Sequence, residues 1–241
     1  MTESLELAYL YPKLLNIYGD SGNVICLQNR CKARGINLNI TTIGVSESFD
    51  PAKFDIYFIG GGQDQQQITV SEDLQTKKKN LISAIEHEAV FLAVCGGYQL
   101  LGKYYKAQDS TELKGIEAID LYTVSGNKRM IGNVLCKELE SKMTLVGFEN
   151  HSGKTFLGKF VSPLAKIIRG SGNNGEDGFE GVRYKNVFGT YLHGSLLPKN
   201  PDLVDKIISL ALKRKGLQMP EIKLDDLFER QAHKRAVKLR Y

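Results

Sequence analysis

The sequence predicts an α/β fold in which a mostly parallel sheet is flanked by helices, with added antiparallel strands and a C-terminal helical tail. Short apolar runs alternate with helix-like segments over residues 5–105, which is typical of parallel strands joined by helices. Glycine clusters at 60–62 and 96–97 directly follow two of those runs. Short, turn-bounded strand patterns then replace the alternation between residues 119 and 148.

The first half of the chain predicts four strands separated by helices. Apolar runs predict three of the strands, alternation predicts the one at 37–44, and apolar residues at helical spacing predict the helices. Asp20, Ser21 and Asn23 are candidate N-caps of the first helix, and Ser71 is the candidate cap of the second. The predicted strands are 5–11, 37–44, 55–59 and 90–94, and the predicted helices are 20–34, 71–88 and 96–105.

The second half predicts antiparallel or edge strands, a polar loop and further helices. We predict one domain over residues 1–215, followed by a linker and a basic helical tail over 216–241. The predicted segments are strands at 119–124, 130–135, 143–148 and 187–193, a glycine-rich loop at 170–178 and an amphipathic helix at 202–215.

Composition indicates a globular protein with one main core. The chain has 241 residues, of which 42% are hydrophobic and 24% charged, and its net charge of +5 is modest. The chain lacks the basic stripe interleaved with aromatic residues that would indicate nucleic-acid binding, and no apolar run approaches the ~20 residues of a membrane span. The four cysteines, Cys26, Cys31, Cys95 and Cys136, match no zinc-binding spacing. We therefore expect a cytoplasmic protein with free thiols, no metal site and no nucleic-acid partner.

The segment around Cys95 carries the strongest functional signal. An apolar run over residues 89–94 ends at Cys95, and Gly96 and Gly97 precede a helix-like pattern. This order is typical of a nucleophile elbow, in which a strand turns sharply into a helix and exposes one reactive side chain. The N–H groups at the start of that helix favour the thiolate. The alternative, a structural cysteine buried after a core strand, is disfavoured by the flanking glycines.

Three features are predicted to meet at the carboxyl edge of the parallel sheet, where ligands gather in such folds. They are the first glycine cluster, Cys95 and His193. A thiolate, an imidazole and backbone N–H groups are the parts needed for acyl transfer through a thioester. We expect the N–H groups of Gly61 and Gly96 to form the oxyanion hole.

Two points stay open from the residues alone. His151 also follows a strand-like run and precedes a glycine, so spacing does not decide whether His193 or His151 pairs with the cysteine. The cluster at 60–62 has a second interpretation as a phosphate cradle, although neither Gly-x-Gly-x-x-Gly nor a Walker-type motif occurs there.

Three motifs of the chain are similar to those of a known enzyme family. They are Cys95-Gly-Gly-Tyr-Gln-Leu-Leu-Gly102, Gly147-Phe-Glu-Asn-His-Ser-Gly-Lys-Thr155 and Gly189-Thr-Tyr-Leu-His-Gly194. Together they resemble the cobyric-acid-synthase-like branch of the class I glutamine amidotransferases, and within it the glutaminase subunits of bacterial lipid II isoglutaminyl synthase. The resemblance covers nearly the whole chain except the tail, and it implies the flavodoxin-like fold of that class. Further stretches that fit are 18–23, 58–62 and 196–200.

The resemblance implies roles for four residues. Cys95 is expected to be the nucleophile and His193 the acid–base group, which moves the choice away from His151. Arg129 is expected to contact the substrate, and Gln99 to line the glutamine pocket. From the residues alone, Arg129 is a solvated base before a strand and Gln99 an exposed helix position.

The expected third member of a catalytic triad has no evident counterpart. Related enzymes carry an acid two residues after the histidine, whereas Gly194 and Ser195 follow His193 here. Glu149 is the one alternative within the chain. The resemblance implies that a MurT-like partner subunit, of the Mur-ligase type, supplies an aspartate in trans. Glutaminase activity would then depend on assembly of a heterodimer.

The implied function is hydrolysis of glutamine, with transfer of the ammonia to that partner. The partner would use ATP and Mg²⁺ to amidate the α-carboxyl of D-glutamate in lipid II at the membrane surface, and this chain would need no cofactor. Three alternatives remain: amidation of a corrinoid carboxylate, a cysteine hydrolase acting on peptides, and a non-catalytic binding module on the same scaffold.

Overall fold

The computed structural model describes residues 3–239, apart from the side chain of Asp64. Two β-sheets and five α-helices make up most of this part of the chain. The helices are α1 (Ser21–Ala33), α2 (Asp64–Glu86), α3 (Gly96–Leu100), α4 (Pro201–Arg214) and α5 (Leu227–Lys238). The strands are β1 (Ser4–Leu10), β2 (Asn37–Ile43), β3 (Ile56–Ile59), β4 (Val90–Val94), β5 (Tyr104–Lys106), β6 (Glu112–Lys114), β7 (Leu121–Glu138), β8 (Thr144–Leu157), β9 (Ala165–Arg169), β10 (Phe179–Glu180), β11 (Val182–Tyr184) and β12 (Val187–Thr190).

The first sheet positions the candidate site. Its strand order is β11-β12-β4-β3-β1-β2, and all neighbouring pairs are parallel except β11 with β12. Every residue of β3, β4 and β12 is buried, which explains why these strands are continuous apolar runs. Because β12, β4 and β3 are parallel neighbours, their carboxyl ends lie side by side at one edge of the sheet. The predicted α/β fold with a mostly parallel sheet is confirmed.

The second sheet is built on a long hairpin. Its order is β10-β9-β7-β5-β6, and β8 pairs with β7. The predicted separation of strands 119–124 and 130–135 is wrong, because both belong to the single strand β7. The register shifts between Ser125 and Met130, so the intervening polar residues form an irregularity within the hairpin. That irregularity has the composition of a turn, which explains the error.

Two predicted helices have other bounds. The helix predicted at 71–88 begins at Asp64, and Ser71 donates its hydroxyl to the Lys114 carbonyl at 2.9 Å instead of capping a helix. The helix predicted at 96–105 ends at Leu100, because the chain turns there to enter β5, which pairs with β6 and β7. Pairing in the second sheet thus overrides the local helical pattern.

Partly buried ion pairs attach the C-terminal segment that carries α5 to the rest of the described chain. Arg30 on α1 bonds to Asp205 on α4 at 2.7 Å and to Asp226, just before α5, at 2.6 Å. The last two residues of the predicted tail, Arg240 and Tyr241, lie outside the described residues. Within residues 3–239, no helix combines the length and apolar character needed to cross a membrane.

Candidate active site

Cys95 sits in a strained backbone conformation between β4 and α3. Its φ of 50° and ψ of −108° are unfavourable for a residue with a Cβ and cost on the order of 1–3 kcal/mol. Two hydrogen bonds hold the turn: the Cys95 N–H donates to the Thr190 carbonyl at 2.8 Å, and the Gln99 N–H donates to the Cys95 carbonyl at 2.9 Å. The geometry is that of the predicted nucleophile elbow.

The two glycines after Cys95 allow close packing around the elbow. A Cβ on Gly97 would lie 2.7 Å from the Ile59 carbonyl oxygen and 2.9 Å from the Gly60 carbonyl oxygen. The Gly97 N–H donates to that same Gly60 carbonyl at 3.1 Å. A side chain at position 97 would therefore push α3 away from the end of β3.

His193 lies beside Cys95, as the sequence predicts. It follows β12, which pairs with β4 in parallel, and its N–H donates to the Phe148 carbonyl at 2.7 Å. The side chain is fully buried. A Cβ built on Gly61 would lie 3.0 Å from His193 Cε1 and 3.1 Å from Cys95 Cβ. The space between the two side chains therefore has little room for any residue larger than glycine.

Asp20 is a candidate site residue that the sequence analysis missed. Its Oδ1 lies 3.5 Å from His193 Nδ1, and both side chains are fully buried. The expectation that Asp20 caps α1 is wrong, since its side chain makes no cap hydrogen bond; Asn16 accepts from the Ser21 N–H at 2.7 Å instead. The expectation that Glu149 is the one in-chain alternative is also wrong.

The sequence feature that could have located Asp20 is its position after the first strand, since no motif marks it. It is an acid placed shortly after β1, at the same sheet edge as the cysteine and the histidine. Glu149, by contrast, accepts from the Ser171 N–H at 2.7 Å and the Gly172 N–H at 2.9 Å. Its carboxylate therefore orders a loop.

The charges around His193 favour its protonated form. Burial alone would lower the pKa of His193, but the Cys95 sulfur and the Asp20 carboxylate outweigh it and raise the pKa to about 10. The imidazole is thus a cation at neutral pH, between the Asp20 carboxylate and the Cys95 sulfur. Because Nδ1 faces Asp20, Nε2 is the ring nitrogen left for Cys95.

A cavity of about 270 Å³ opens in front of the elbow. Cys95, Gln99, Arg129 and His151 all line it, so four residues named from the sequence share one space. Gln99 is 3% exposed, and its Nε2 donates to the Tyr191 hydroxyl at 3.0 Å. The interpretation of Gln99 as an exposed helix position is therefore wrong.

Arg129 lies at the mouth of this cavity. Its Nε donates to Asn150 Oδ1 at 2.6 Å, and Asn150 Nδ2 donates to the Tyr18 hydroxyl at 2.6 Å. This chain of side chains orients the guanidinium at the entrance while Arg129 itself stays exposed to solvent. Contact between Arg129 and a substrate stays a prediction.

His151 is held in the wall of the cavity by contacts of its own. Its Nδ1 lies 2.8 Å from the Gly153 carbonyl oxygen, and its ring stacks on Tyr191 with centroids 3.6 Å apart. Burial lowers the pKa of His151 to about 4, against the opposing effect of the Gly153 hydrogen bond. His151 is therefore a neutral group in the wall of the cavity.

The model of the CobB/CobQ-like glutamine amidotransferase domain matches residues 6–201. The chain belongs to this amidotransferase family. It is 42% identical over 228 residues to the lipid II isoglutaminyl synthase (glutamine-hydrolyzing) subunit GatD of Staphylococcus aureus strain N315, covering 95% of this chain and 93% of the relative. It is 39% identical over 220 residues to the subunit of the same name from Streptococcus pneumoniae strain R6, covering 90% and 85%.

A solved structure supports the fold independently. A crystal structure of a glutamine amidotransferase superposes with a TM-score of 0.56 at 14% identity, covering 85% of this chain and 98% of that one. At this level of identity the match concerns the fold alone. It agrees with the α/β architecture of the amidotransferase family.

One of the two N–H groups predicted for the oxyanion hole of this CobB/CobQ-like amidotransferase already has an acceptor. The Gly61 N–H donates to Asp20 Oδ2 at 2.8 Å, so it is already bonded in this structure. Gly96 is the first residue of α3, where a backbone N–H has no acceptor within its own helix. The predicted role of Gly61 would require its N–H to be shared between the carboxylate and an oxyanion.

Proposed function

We propose that this chain is the glutaminase subunit of a lipid II isoglutaminyl synthase. It hydrolyses glutamine to glutamate and ammonia and passes the ammonia to a MurT-like ligase subunit. That subunit amidates the α-carboxyl of D-glutamate in lipid II during peptidoglycan synthesis. The observation that carries the chemistry is the Cys95 sulfur at a strained turn beside the buried, cationic imidazole of His193. The names of the two relatives described above support the acceptor.

The proposed reaction uses the two side chains in turn. The Cys95 thiolate attacks the γ-carbonyl carbon of glutamine, and His193 gives its proton to the nitrogen as the C–N bond breaks. Ammonia leaves, and a γ-glutamyl thioester remains on the sulfur. His193 then accepts a proton from the water that attacks the thioester, and glutamate and the thiolate are released. Arg129 is proposed to bind the α-carboxylate of glutamine, and Gln99 to line its pocket.

The partner subunit is proposed to bind ATP and Mg²⁺. Glutamine hydrolysis needs neither, because the thiolate and the imidazolium supply both the nucleophile and the proton. Activation of a carboxylate for amidation does need a phosphoryl donor. Ammonia released into bulk water would be protonated and lose its nucleophilicity, so we propose direct transfer within a heterodimer in the cytoplasm.

The test compares the wild-type protein with Cys95→Ala, each alone and in complex with the ligase subunit. We expect weak glutamate release by the wild-type chain alone, stronger release in the complex and none from Cys95→Ala. The Cys95→Ala complex should still amidate lipid II when ammonium replaces glutamine, because the ligase is intact. Mass spectrometry of acid-quenched wild-type protein should show a γ-glutamyl adduct on Cys95.

Two results would contradict the proposal at different levels. Absence of glutamate release by the wild-type complex would contradict the glutaminase function. Glutamate release with amidation of a corrinoid carboxylate, and none of lipid II, would contradict only the acceptor.

A further inference from the structure

His151 presents an unused hydrogen-bond acceptor to the active-site cavity. Its Nδ1 contacts the Gly153 carbonyl at 2.8 Å, and since a carbonyl only accepts, Nδ1 carries the proton of the neutral ring. Nε2 then has a free lone pair. This atom is buried and has no hydrogen-bond partner among the described residues. His151 is 4% exposed, so bulk water does not satisfy Nε2 either.

The ring of His151 is fixed in this orientation. It lies parallel to the ring of Tyr191, with an angle of 3° between the planes. The Tyr191 hydroxyl is itself held, since it accepts from Gln99 Nε2 and bonds to Thr155 Oγ1 at 2.6 Å. The imidazole therefore keeps its Nδ1 contact, and the lone pair on Nε2 remains in the wall of the cavity.

Gln67 provides a second fixed acceptor. Its Nε2 donates to the Gly62 carbonyl at 2.8 Å, which leaves Oε1 as the free end of the amide. Oε1 is buried without a partner among residues 3–239, and Gln67 lines the same cavity. A Cβ on Gly96 would lie 2.8 Å from Gln67 Cδ and 3.2 Å from Oε1. Gln67 is therefore next to the residue that follows the nucleophile.

His151 and Gln67 lie in different parts of the cavity, which also holds a third buried acceptor without a donor among the described residues, Gln99 Oε1. Met130, the residue after Arg129, pairs with His151 across the β7–β8 hairpin, so His151 belongs to the arginine end of the cavity. Gln67 belongs to the Cys95 end. A buried acceptor without a donor costs about 1–3 kcal/mol, and a ligand with N–H groups at matching positions recovers this free energy.

We propose that His151 Nε2 accepts a hydrogen bond from the α-ammonium of glutamine and that Gln67 Oε1 accepts one from its γ-amide. This inference rests on the proposed glutaminase function. The α-carboxylate beside the ammonium would reach Arg129, and the γ-carbonyl carbon would reach Cys95. The arrangement gives His151 a binding role in place of acid–base catalysis. It also favours glutamine over its product glutamate, because a carboxylate has no N–H to offer Gln67.

Binding to full-length Cys95→Ala protein tests the two contacts separately. Calorimetry would use glutamine, glutaramic acid (which lacks the α-amino group) and glutamate γ-methyl ester (which lacks the γ-N–H groups). His151→Phe keeps a ring for stacking on Tyr191, and Gln67→Met keeps similar volume. We expect His151→Phe to reduce the preference for glutamine over glutaramic acid by about 10- to 100-fold, and to leave its preference over the ester unchanged.

Gln67→Met should give the reverse pattern. It should reduce the preference for glutamine over the methyl ester by about 3- to 10-fold and leave the preference over glutaramic acid unchanged. His151→Gln retains an acceptor oxygen and should recover part of the preference that His151→Phe loses. This second variant also covers the case in which His151→Phe does not fold.

The outcomes separate this inference from the proposed function. Equal weakening of all three ligands by each variant would mean that His151 and Gln67 only support the fold, and would overturn the inference. If wild-type protein still released glutamate from glutamine, the glutaminase function would stand. Failure of the Cys95→Ala protein to bind any of the three ligands, together with no glutamate release by the wild type, would overturn both.

Discussion

Asp20 Oδ1 lies 3.5 Å from His193 Nδ1 in a region closed to solvent. This contact joins an acid from the segment after β1 to a histidine from the segment after β12. The other oxygen of the same carboxylate accepts from the Gly61 N–H at 2.8 Å. Asp20 therefore connects the glycine cluster with the imidazole, and it is placed to fix the ring orientation and the proton on Nδ1.

Asp20→Asn should lower kcat for glutamine hydrolysis by about 10- to 100-fold and change KM little, because the amide cannot stabilise the imidazolium. Steady-state glutamate release by the full-length protein measures both parameters. Asp202→Asn is the matched control, since Asp202 pairs with Arg230 on the surface at 3.0 Å, and it should retain wild-type kinetics. An unchanged kcat in Asp20→Asn would show that Asp20 does not position His193.

The same variant distinguishes an orienting group of this chain from one of the partner. We expect Asp20→Asn to remain impaired after the ligase subunit is added. Full recovery of kcat in the complex would instead assign the orienting carboxylate to the partner. The comparison requires wild-type and variant complexes at saturating partner concentration.

The raised pKa of His193 predicts how stability varies with pH. The folded state keeps its proton up to about pH 10, whereas the unfolded state releases it near the ordinary value of 6.5. The contribution of His193 to the free energy of unfolding is therefore full below about pH 6.5 and is lost as pH rises towards 10. Urea denaturation from pH 6 to 10 should show a steeper loss in wild type than in His193→Gln. Parallel curves would contradict the predicted linkage.

Gly97→Ala should destabilise the protein by about 1–3 kcal/mol. Its Cβ would meet two backbone carbonyl oxygens, of Ile59 and Gly60, which cannot move without shifting β3. Thermal unfolding provides the measurement. Gly44→Ala is the control, because the nearest atom to its Cβ would be a flexible Glu47 side-chain oxygen at 3.5 Å. Equal Tm values for the two variants would contradict the packing argument.

Asp226→Asn should loosen the C-terminal tail. Asp226 bonds to Arg30 Nη1 at 2.6 Å, and the two side chains are only 12% and 7% exposed. Loss of a charge-assisted bond of this kind weakens the attachment by about 1.5–3 kcal/mol. Hydrogen exchange should therefore become at least about tenfold faster in α5 and unchanged in β4. Glu229→Gln, on α5 itself, is the control, and equal exchange in both variants would show that the pair does not hold the tail.

The parallel sheet could be predicted from the sequence because burial on both faces leaves a strong local pattern. The apolar runs at 55–59 and 90–94 contain β3 and β4 almost to the residue. The long hairpin could not be predicted in the same way. One strand of 18 residues with an irregular register has the local composition of two strands and a turn.

The candidate site was partly predictable for a related reason. Cys95 directly follows β4, and His193 comes shortly after β12 ends at Thr190, so the apolar patterns of these strands locate both residues. The position of Asp20 depends on a three-residue turn at Ile17–Gly19 with positive φ at Tyr18, and no periodic pattern predicts such a segment. The free acceptor atoms of His151 and Gln67 could not be predicted from the sequence either, because only the folded chain shows which polar atoms lack a donor.

The pairing of β12 with β4 determines when activity can begin during synthesis of the chain. The thiol is translated almost one hundred residues before the imidazole, and the two meet only when the last strand of the sheet docks beside β4. A nascent chain that has emerged as far as the elbow already carries its sulfur but has no proton donor next to it. Such a chain cannot hydrolyse glutamine on the ribosome, and activity begins only after β12 has paired with β4.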